Sequence, residues 1–231
     1  MYIPEVHEQI LQVLGITQST DKNKNYRQLQ QFLDKRSPKK SKKAWTDGAK
    51  ESDCAKLKKI TRDAAIRGTA MHKYLEDLIL GQRSLDLTPL GIEATIMAEI
   101  IVERGLNDCS EVYGTEAVLY YPGLYAGSCD LVAKYKDKLS IIDFKQTNKP
   151  KQREWIGDYF LQMAAYGMAH DAVYGTTIEQ GVIMMCSKDG YYQQFVIEGK
   201  EFRDAKHKFL GRLDEFYSLD NNSDAVVRGD R

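Results

Sequence analysis

Ile141-Ile142-Asp143-Phe144-Lys145 is a short apolar run that ends in an acid and a lysine, the pattern of a central strand with polar groups at its end. Residues two apart in a strand share a face, so Asp143 and Lys145 point to one side while Ile142 and Phe144 point into the core. A buried acid and lysine are costly unless they are paired or bound to something. The spacing alone leaves two interpretations open: a solvated ion pair at a strand end, or part of a binding site.

The sequence around this strand alternates between strand-like and helix-like patterns. Short β-prone runs occupy 116–121, 128–135, 139–145, 181–186 and 191–197, with turns between them. Apolar periodicity and capping residues predict helices over 60–80, 88–105, 155–170 and 202–217. Helices followed by strands that one helix interrupts predict an α/β (α+β, mixed-sheet) domain rather than a doubly wound repeat.

A second acid lies close to Asp143 in the predicted sheet. Asp130 precedes it by thirteen residues, on the neighbouring strand and across a tight hairpin. Two carboxylates brought together on adjacent strands repel each other, and a divalent cation relieves that repulsion. Hard oxygen ligands suit magnesium or manganese, so the pair predicts a Mg²⁺ or Mn²⁺ site.

Charge is distributed unevenly along the chain. The 231 residues include 33 Lys or Arg and 33 Asp or Glu, a formal net charge of zero. Between Lys35 and Lys59, however, ten basic residues stand against three acids, a local charge of +7 that leaves −7 for the remainder. Such asymmetry is typical of a phosphate-binding arm or of a solvated surface stretch, and charge alone does not choose between them.

Several patterns exclude other classes of protein. No apolar run approaches the roughly 20 residues that span a bilayer, and the first residues lack the pattern of a signal peptide, which predicts a cytoplasmic protein without a membrane partner. The four scattered cysteines form no C-x2-C pair, so no iron–sulfur cluster is expected. The chain also lacks a Gly-x4-Gly-Lys-Ser/Thr motif, so no nucleotide cofactor is expected.

The ordered set of motifs resembles a known family. Gly127-Ser128-Cys129-Asp130 followed by Asp143-Phe144-Lys145 resembles the core of the PD-(D/E)XK nucleases, and more narrowly their RecB-like exonuclease branch. In that branch, Arg67-Gly68-Thr69-Ala70-Met71-His72 is similar to an upstream helix, Gln162-Met163-Ala164-Ala165-Tyr166 matches a Q-x3-Y motif, and an acid often stands at the place of Glu116. The chain departs from the pattern at residue 129, a cysteine where the family name has proline.

The resemblance implies a role for each matching residue. Asp130 and Asp143 would be catalytic metal ligands together with the backbone carbonyl of Phe144, and Lys145 would be catalytic. His72 and Glu116 would be further metal ligands. The predicted DNA contacts are Arg67, Gln162, Tyr166, Thr147, Lys149, Lys151, Lys39, Lys40, Lys42 and Lys43.

It also implies an organisation and a function. We expect a helical, basic region over 1–59, packed on or arching over the core, a restriction-endonuclease-like core over 60–219, and a flexible tail over 220–231. The expected function is a metal-dependent DNA exonuclease of replication, repair or recombination that acts on single strands or ends, in the host cytoplasm if the chain is phage-encoded. A structure-specific endonuclease of the same fold and an inactive DNA-binding module remain as alternatives, and the sequence predicts no oligomeric state.

Overall fold

The computed structural model describes residues 51–228 except 83 and 85, with side chains between 55 and 218. The predicted basic lysines at 39, 40, 42 and 43 lie outside the described residues. In chain order the elements are α1 (Glu51–Ile79), α2 (Pro89–Arg104), β1 (Cys109–Tyr121), β2 (Tyr125–Tyr135), β3 (Lys138–Thr147), α3 (Gly157–Tyr174), β4 (Gln180–Ser187), β5 (Tyr192–Glu198) and α4 (Gly199–Arg228). Short 3₁₀ turns lie at Leu106–Asp108 and Arg153–Trp155.

The predicted fold class, a mixed-sheet α+β domain, is confirmed. Five strands form one sheet in the order β1-β2-β3-β4-β5. Every neighbouring pair is antiparallel except β3 and β4, which run parallel and are joined through α3. No helix among the described residues is long and apolar enough to cross a membrane.

Element boundaries differ from the sequence prediction where hydrophobic periodicity is missing. β1 begins at Cys109 instead of 116, because residues 109–115 are mostly exposed and carry two register shifts, so they show no apolar alternation. α1 begins at Glu51, which places the predicted domain boundary at residue 59 inside a helix. α4 runs from Gly199 to Arg228 and so continues past residue 219, where the sequence predicts a flexible tail.

Helix α2 begins and ends where the sequence predicts. The Thr88 side chain accepts a hydrogen bond from the Gly91 backbone N–H at 3.1 Å, and Pro89 occupies the first turn, where its missing N–H costs nothing. Gly105 ends the helix by donating its N–H to the Ile101 carbonyl. These caps fix the position of α2 along the chain relative to α1.

Helices cover both faces of the sheet. One apolar layer joins α3 and α4 to residues such as Ile141 and Ile183, and the other joins α1 and α2 to Ile142 and Phe144. Ile142 and Phe144 point into a core as predicted, and the Asp143 side of β3 is buried as well. A strand in the middle of a sheet that helices cover on both faces is buried throughout, and an alternating pattern is not required there.

Candidate active site

The central sheet divides at the position of the two predicted acids. Pairing between β2 and β3 ends at Leu131 opposite Ile142, whereas β2 stays paired with β1 back to Tyr125 and β3 stays paired with β4 out to Thr147. The two strand pairs therefore separate around residues 125–130 of β2 and 143–147 of β3, and we call the gap between them the fork. Predicted site residues lie on both arms of the fork.

Asp130 bridges the fork at its base. One carboxylate oxygen, Oδ2, accepts a hydrogen bond from the backbone N–H of Phe144 at 2.7 Å, in place of the strand pairing that has just ended. In a strand, the N–H and C=O of one residue point to the same neighbouring strand. The Phe144 carbonyl consequently faces the fork beside Asp130, which is the position that the predicted ligand role requires.

Asp143 and Lys145 lie on the opposite arm and form an ion pair through Asp143 Oδ2 and Lys145 Nζ. Asp143 is only 2% exposed, and the Lys145 ammonium on its Oδ2 supplies the counter-charge that a buried carboxylate requires. The Lys145 ammonium also lies 5.2 Å from the ring centroid of Tyr159 on α3, within the range of a cation–π interaction.

The pKa values of Asp143 and Lys145 are both raised, but for different reasons. Burial raises the pKa of Asp143 to about 6; Asp130 adds to the rise and Lys145 opposes it. Burial alone would lower the pKa of Lys145, but the two carboxylates outweigh it and the pKa of Lys145 is raised. The lysine is therefore held as an ammonium ion beside the acids.

His72 and Glu116 complete a cluster around Asp130. One potential ligand atom from each of the three residues lies within 4.8 Å of the other two. His72 Nδ1 is 3.4 Å from Asp130 Oδ1, and the imidazole contacts the Phe144 ring edge-on at 6.3 Å between centroids. Thr115 Oγ1 donates to the Asp130 carbonyl at 2.9 Å and fixes β1 next to β2 at this point.

Glu116 has an unusual backbone conformation at this cluster. Its φ is 48°, in the left-handed region that costs a non-glycine residue about 1 kcal/mol or more. The register pairs Thr115 with Leu131 and Ala117 with Cys129, so Glu116 lies opposite Asp130. This strained backbone, which places one acid against another, costs folding free energy. Such a cost is typical of a position that binds a ligand.

The cluster around Asp130 has opposing pKa shifts. Burial alone would lower the pKa of His72, but the Asp130 carboxylate outweighs it and the pKa of His72 is raised. Burial alone would raise the pKa of Asp130, but the charge and hydrogen bond of His72 lower it overall. Loss of hydration, and then the charge of Asp130, raise the pKa of Glu116 to about 7. The Asp130 carboxylate thus raises the pKa of both neighbours, whereas the charge of His72 keeps Asp130 itself ionised.

Arg67, predicted as a DNA contact, lies at the junction of α1, α2 and β3. It is 5% exposed, and its guanidinium donates to Glu93 Oε2 at 2.8 Å, Asn148 Oδ1 at 2.8 Å and Gln146 Oε1 at 3.3 Å. These bonds fix the helix that carries His72 against the strand that carries Asp143. Its predicted contact with DNA stays a prediction.

The Q-x3-Y residues lie on α3, which packs on the Asp143 side of the sheet. Gln162 Nε2 donates to the Tyr166 hydroxyl at 3.0 Å, and Tyr166 is buried. Burial raises the pKa of Tyr166, so the hydroxyl stays neutral. The structure thus shows Gln162 and Tyr166 bonded to each other, and their contact with DNA stays a prediction.

The predicted contacts after β3 lie at the carboxyl end of that strand. Thr147 is buried and its hydroxyl donates to the Lys149 carbonyl at 2.8 Å, so it forms the turn. Lys149 is exposed and Lys151 is half-buried. The two lysines are accessible to a ligand at this edge, whereas the Thr147 hydroxyl is already bonded within the protein.

Two residues near the site are absent from the sequence prediction. Tyr159 contacts Lys145 and precedes Gln162 by three residues and Tyr166 by seven, so helical spacing alone places it on the same face of α3. Glu93 binds Arg67 across 26 positions of sequence. No local pattern in the sequence indicates that second contact, because it depends on how α2 packs on α1.

The donor set fits a hard divalent cation. His72, Glu116 and Asp130 bring one imidazole nitrogen and two carboxylates together, and a backbone carbonyl faces the fork beside them. Asp143 lies on the opposite arm of the fork. Oxygen-rich sites with one imidazole suit magnesium or manganese better than softer metals that prefer thiolates.

Fold and site together resemble the PD-(D/E)XK arrangement that the sequence predicts. The structure has a mixed sheet, a parallel strand pair bridged by a helix, and Asp130, Asp143 and Lys145 gathered where the strands separate. Cys129, which stands at the place of the family's proline, is fully buried in the apolar layer under α3. The departure at this position therefore leaves the core packed.

Comparison with known proteins identifies particular relatives. The chain is 32% identical to mitochondrial genome maintenance exonuclease 1 of Homo sapiens over 140 residues, which are 58% of this chain and 40% of the human protein. It is 34% identical to the same protein of Xenopus tropicalis over 131 residues, 54% of this chain and 36% of that protein. The match spans less than half of each curated relative, and it confirms the predicted resemblance to such exonucleases. No family model matches the chain.

Solved structures align less closely. A Eubacterium rectale protein aligns with a TM-score of 0.46 and 12% identity, over 66% of this chain and 64% of its own. An alkaline exonuclease from Laribacter hongkongensis aligns with a TM-score of 0.27 and 14% identity, over 67% of this chain and 85% of its own. These alignments share too little with the chain for function to follow from them.

Proposed function

We propose that this chain is a metal-dependent deoxyribonuclease that hydrolyses phosphodiester bonds as an exonuclease on single strands or ends. The observation that carries the proposal is the gathering of Asp130, Asp143 and Lys145 in the fork, beside His72 and Glu116. The names of the curated relatives, both exonucleases, support the same reaction.

His72, Glu116 and Asp130 each offer one ligand atom within 4.8 Å of the other two, which supports a metal site at the fork. When bound by Asp130, Asp143 and the Phe144 carbonyl, with His72 and Glu116 at its side, Mg²⁺ or Mn²⁺ would polarise the scissile phosphate and lower the pKa of an attacking water. Asp130 is already oriented by the Phe144 N–H, so its second oxygen remains directed towards His72. The site residues are thus largely preorganised in the protein itself.

Lys145 would act on the water or on the phosphate. Its ammonium is fixed between Asp143 and the face of Tyr159, and its raised pKa keeps it charged. A compact ammonium with three donors can hold one water in place or offset negative charge that develops on the phosphate. Either role requires a lysine here, since a neutral side chain would leave the buried acids without a counter-charge.

The geometry favours catalysis over simple binding of DNA. A cluster of carboxylates repels a phosphate backbone when no metal is present, so a pure binding module gains nothing from it. Backbone strain at Glu116 adds to this cost. A role in replication, repair or recombination follows for a DNA exonuclease, and the cytoplasmic location stays a prediction.

Substitution of the site acids and lysine tests the reaction. We expect Asp143→Asn or Lys145→Ala to reduce cleavage of a labelled single strand by at least about 100-fold, because a metal ligand or a transition-state charge is lost. Binding of the strand should remain largely intact. The matched control is Asp204→Asn, from the same acid-x-Lys pattern on the exposed part of α4, and it should cleave normally.

Substrate form separates the alternatives. The assay uses linear single strands labelled at the 5′ or 3′ end, linear duplexes and closed circles, each with magnesium, manganese or EDTA. Release of mononucleotides from linear strands with circles spared supports the exonuclease, whereas cleaved circles favour the endonuclease. Undiminished cleavage by Asp143→Asn or Lys145→Ala would refute the assigned site, and metal-independent binding without cleavage would favour the binding module.

A further inference from the structure

Two large aromatic side chains are exposed at the edge of the sheet where β3 ends. Trp155, in the 3₁₀ turn before α3, is 65% exposed, and Tyr191, in the β4–β5 turn, is 58% exposed. Lys149, Lys151 and Lys188 lie in the same two connections. We call this surface the aromatic rim: Trp155 and Tyr191 with the three lysines. Glu154 and Asp189 lie in the same connections, so the three lysines leave a net positive charge there.

Hydrogen bonds fix the two connections to each other. The Lys188 backbone N–H donates to the Thr147 carbonyl at 3.0 Å. The Gln193 side chain accepts from the Lys151 N–H at 2.7 Å and donates to the Lys151 carbonyl at 2.8 Å. Arg153 in addition donates to the Val196 carbonyl at 2.9 Å. The exposed aromatics therefore project from a rigid base.

The aromatic rim is continuous with the fork. Thr147, where the two connections meet, follows Lys145 by two residues, about 7 Å along a strand. On the other side, Trp155 precedes Tyr159 by four residues, and Tyr159 packs on the Lys145 ammonium. A strand of DNA with one phosphate in the fork would have its neighbouring nucleotides at this edge.

Trp155 leaves most of a large aromatic ring exposed on this base. Lysines beside it attract phosphates, and aromatic rings stack on bases only when those bases are unpaired. We propose that the aromatic rim binds unpaired nucleobases, with Trp155 stacking on a base of the strand whose phosphate lies in the fork. The inference rests on the proposed nuclease function and names the residue that would contact a base.

Fluorescence of Trp155 measures this contact directly. The chain has two tryptophans, so Trp45→Phe leaves Trp155 as the reporter, and Lys145→Ala prevents cleavage during titration with magnesium present. We expect an oligothymidylate to quench this fluorescence. We also expect Trp155→Ala, measured by anisotropy of a labelled oligothymidylate in the same background, to raise Kd about tenfold.

An abasic strand of the same length separates stacking from attraction to phosphate. The parent should bind it more weakly than oligothymidylate, and Trp155→Ala should bind it as well as the parent does. Tyr174→Ala is the matched control: Tyr174 is also exposed, but it lies at the opposite end of α3. It should leave binding of both strands unchanged.

The outcomes separate this inference from the nuclease function. If the intact chain cleaves single strands while Trp155→Ala binds oligothymidylate as tightly as the parent, the stacking role is refuted and the nuclease stands. Equal weakening on thymidylate and abasic strands also refutes stacking, as does a loss of the same size for Tyr174→Ala. If the chain without any substitution neither binds nor cleaves any strand, the nuclease function and the aromatic rim are both refuted.

Discussion

Helices α1 and α3 flank the same fork from opposite faces of the sheet, and they are held in different ways. α1 buries Arg67, Met71 and Leu75, spaced four residues apart, together with Asp77, and the hydrogen bonds of Arg67 hold it near its middle. α3 buries half of its 18 residues, and the missing side chain of Gly181 lets Met163 lie directly against β4. Polar bonds thus position the His72 side of the site, whereas packing positions the Lys145 side.

Two histidines show what this difference does to charge. On α1, the Asp130 carboxylate outweighs burial and raises the pKa of His72. On α3, burial lowers the pKa of His170, and the charge of Asp171 opposes the shift without reversing it. The α1 face therefore adds an imidazole to the fork, whereas the α3 face covers Asp143 and Lys145 with packed side chains that strengthen their interaction.

Truncation in the packed wall should give the largest loss of stability. Met163 is fully buried, and a Cβ on Gly181 would lie 2.6 Å from the Met163 Cβ, so the two elements are in direct contact. We expect Met163→Ala to lower the free energy of unfolding by about 3 kcal/mol and the Tm by about 6–12 °C, measured by calorimetry. Met168→Ala, on the less buried side of α3, should cost clearly less.

An equal loss in Met163→Ala and Met168→Ala would show that α3 is not held by packing against β4. Cleavage provides a second measurement. At a temperature where Met163→Ala is fully folded, its cleavage rate should stay within about threefold of the parent, because no group in the fork is removed. A larger fall would mean that packing on this face controls the site geometry directly.

Loss of the Arg67 hydrogen bonds on α1 should reduce cleavage clearly and stability less, whereas Met163→Ala reduces mainly stability. We expect Arg67→Met to cost about 2 kcal/mol in the free energy of unfolding, because three side-chain hydrogen bonds are lost, one of them to a partly exposed glutamate. Cleavage should fall at least tenfold at full folding, because α1 carries His72 to the fork. Chemical denaturation and initial rates measure the two effects, and Arg62→Met on the exposed face of α1 serves as control.

This variant also separates two roles for Arg67. If Arg67 contacts DNA and does not position α1, the stability of Arg67→Met should equal that of Arg62→Met, and only the Kd for a strand should rise. A loss of stability with an unchanged Kd and a lower maximal rate supports the positioning role. The structure favours positioning, because all three bonds go to protein groups and the residue is buried.

The contrast between the two faces also explains how far the sequence predicts the site. Asp130, Asp143 and Lys145 follow from local patterns, since alternation and a tight hairpin place them on adjacent strands. Their meeting in the fork does not, because it depends on where β2 and β3 cease to pair. Contacts such as that of Arg67 with Glu93 depend on helix packing. No pattern in the sequence indicates the left-handed conformation of Glu116.

The smallest expected effect is a pH dependence of stability from His170. Its Nδ1 lies 2.7 Å from Thr176 Oγ1, and Asp171 and Lys206, 3.5 Å apart, are the charged groups near it. Because the pKa of His170 is lowered in the folded chain, the unfolded chain binds a proton at this histidine more readily than the folded chain does. This contribution to stability is present above the unfolded pKa of about 6.5 and is lost as the pH falls below it, by less than about 1.4 kcal/mol per pH unit.

The difference in unfolding free energy between the parent and His170→Gln isolates this contribution, because acids in the fork titrate equally in both proteins. Denaturation in urea at pH 7.5 and 5.5 should show the parent losing more stability than the variant on acidification. A difference that is the same at both pH values would mean that His170 is protonated as easily in the folded chain as in the unfolded one. The inner end of α3 would then be open to water, and the contrast with α1 would fail at this point.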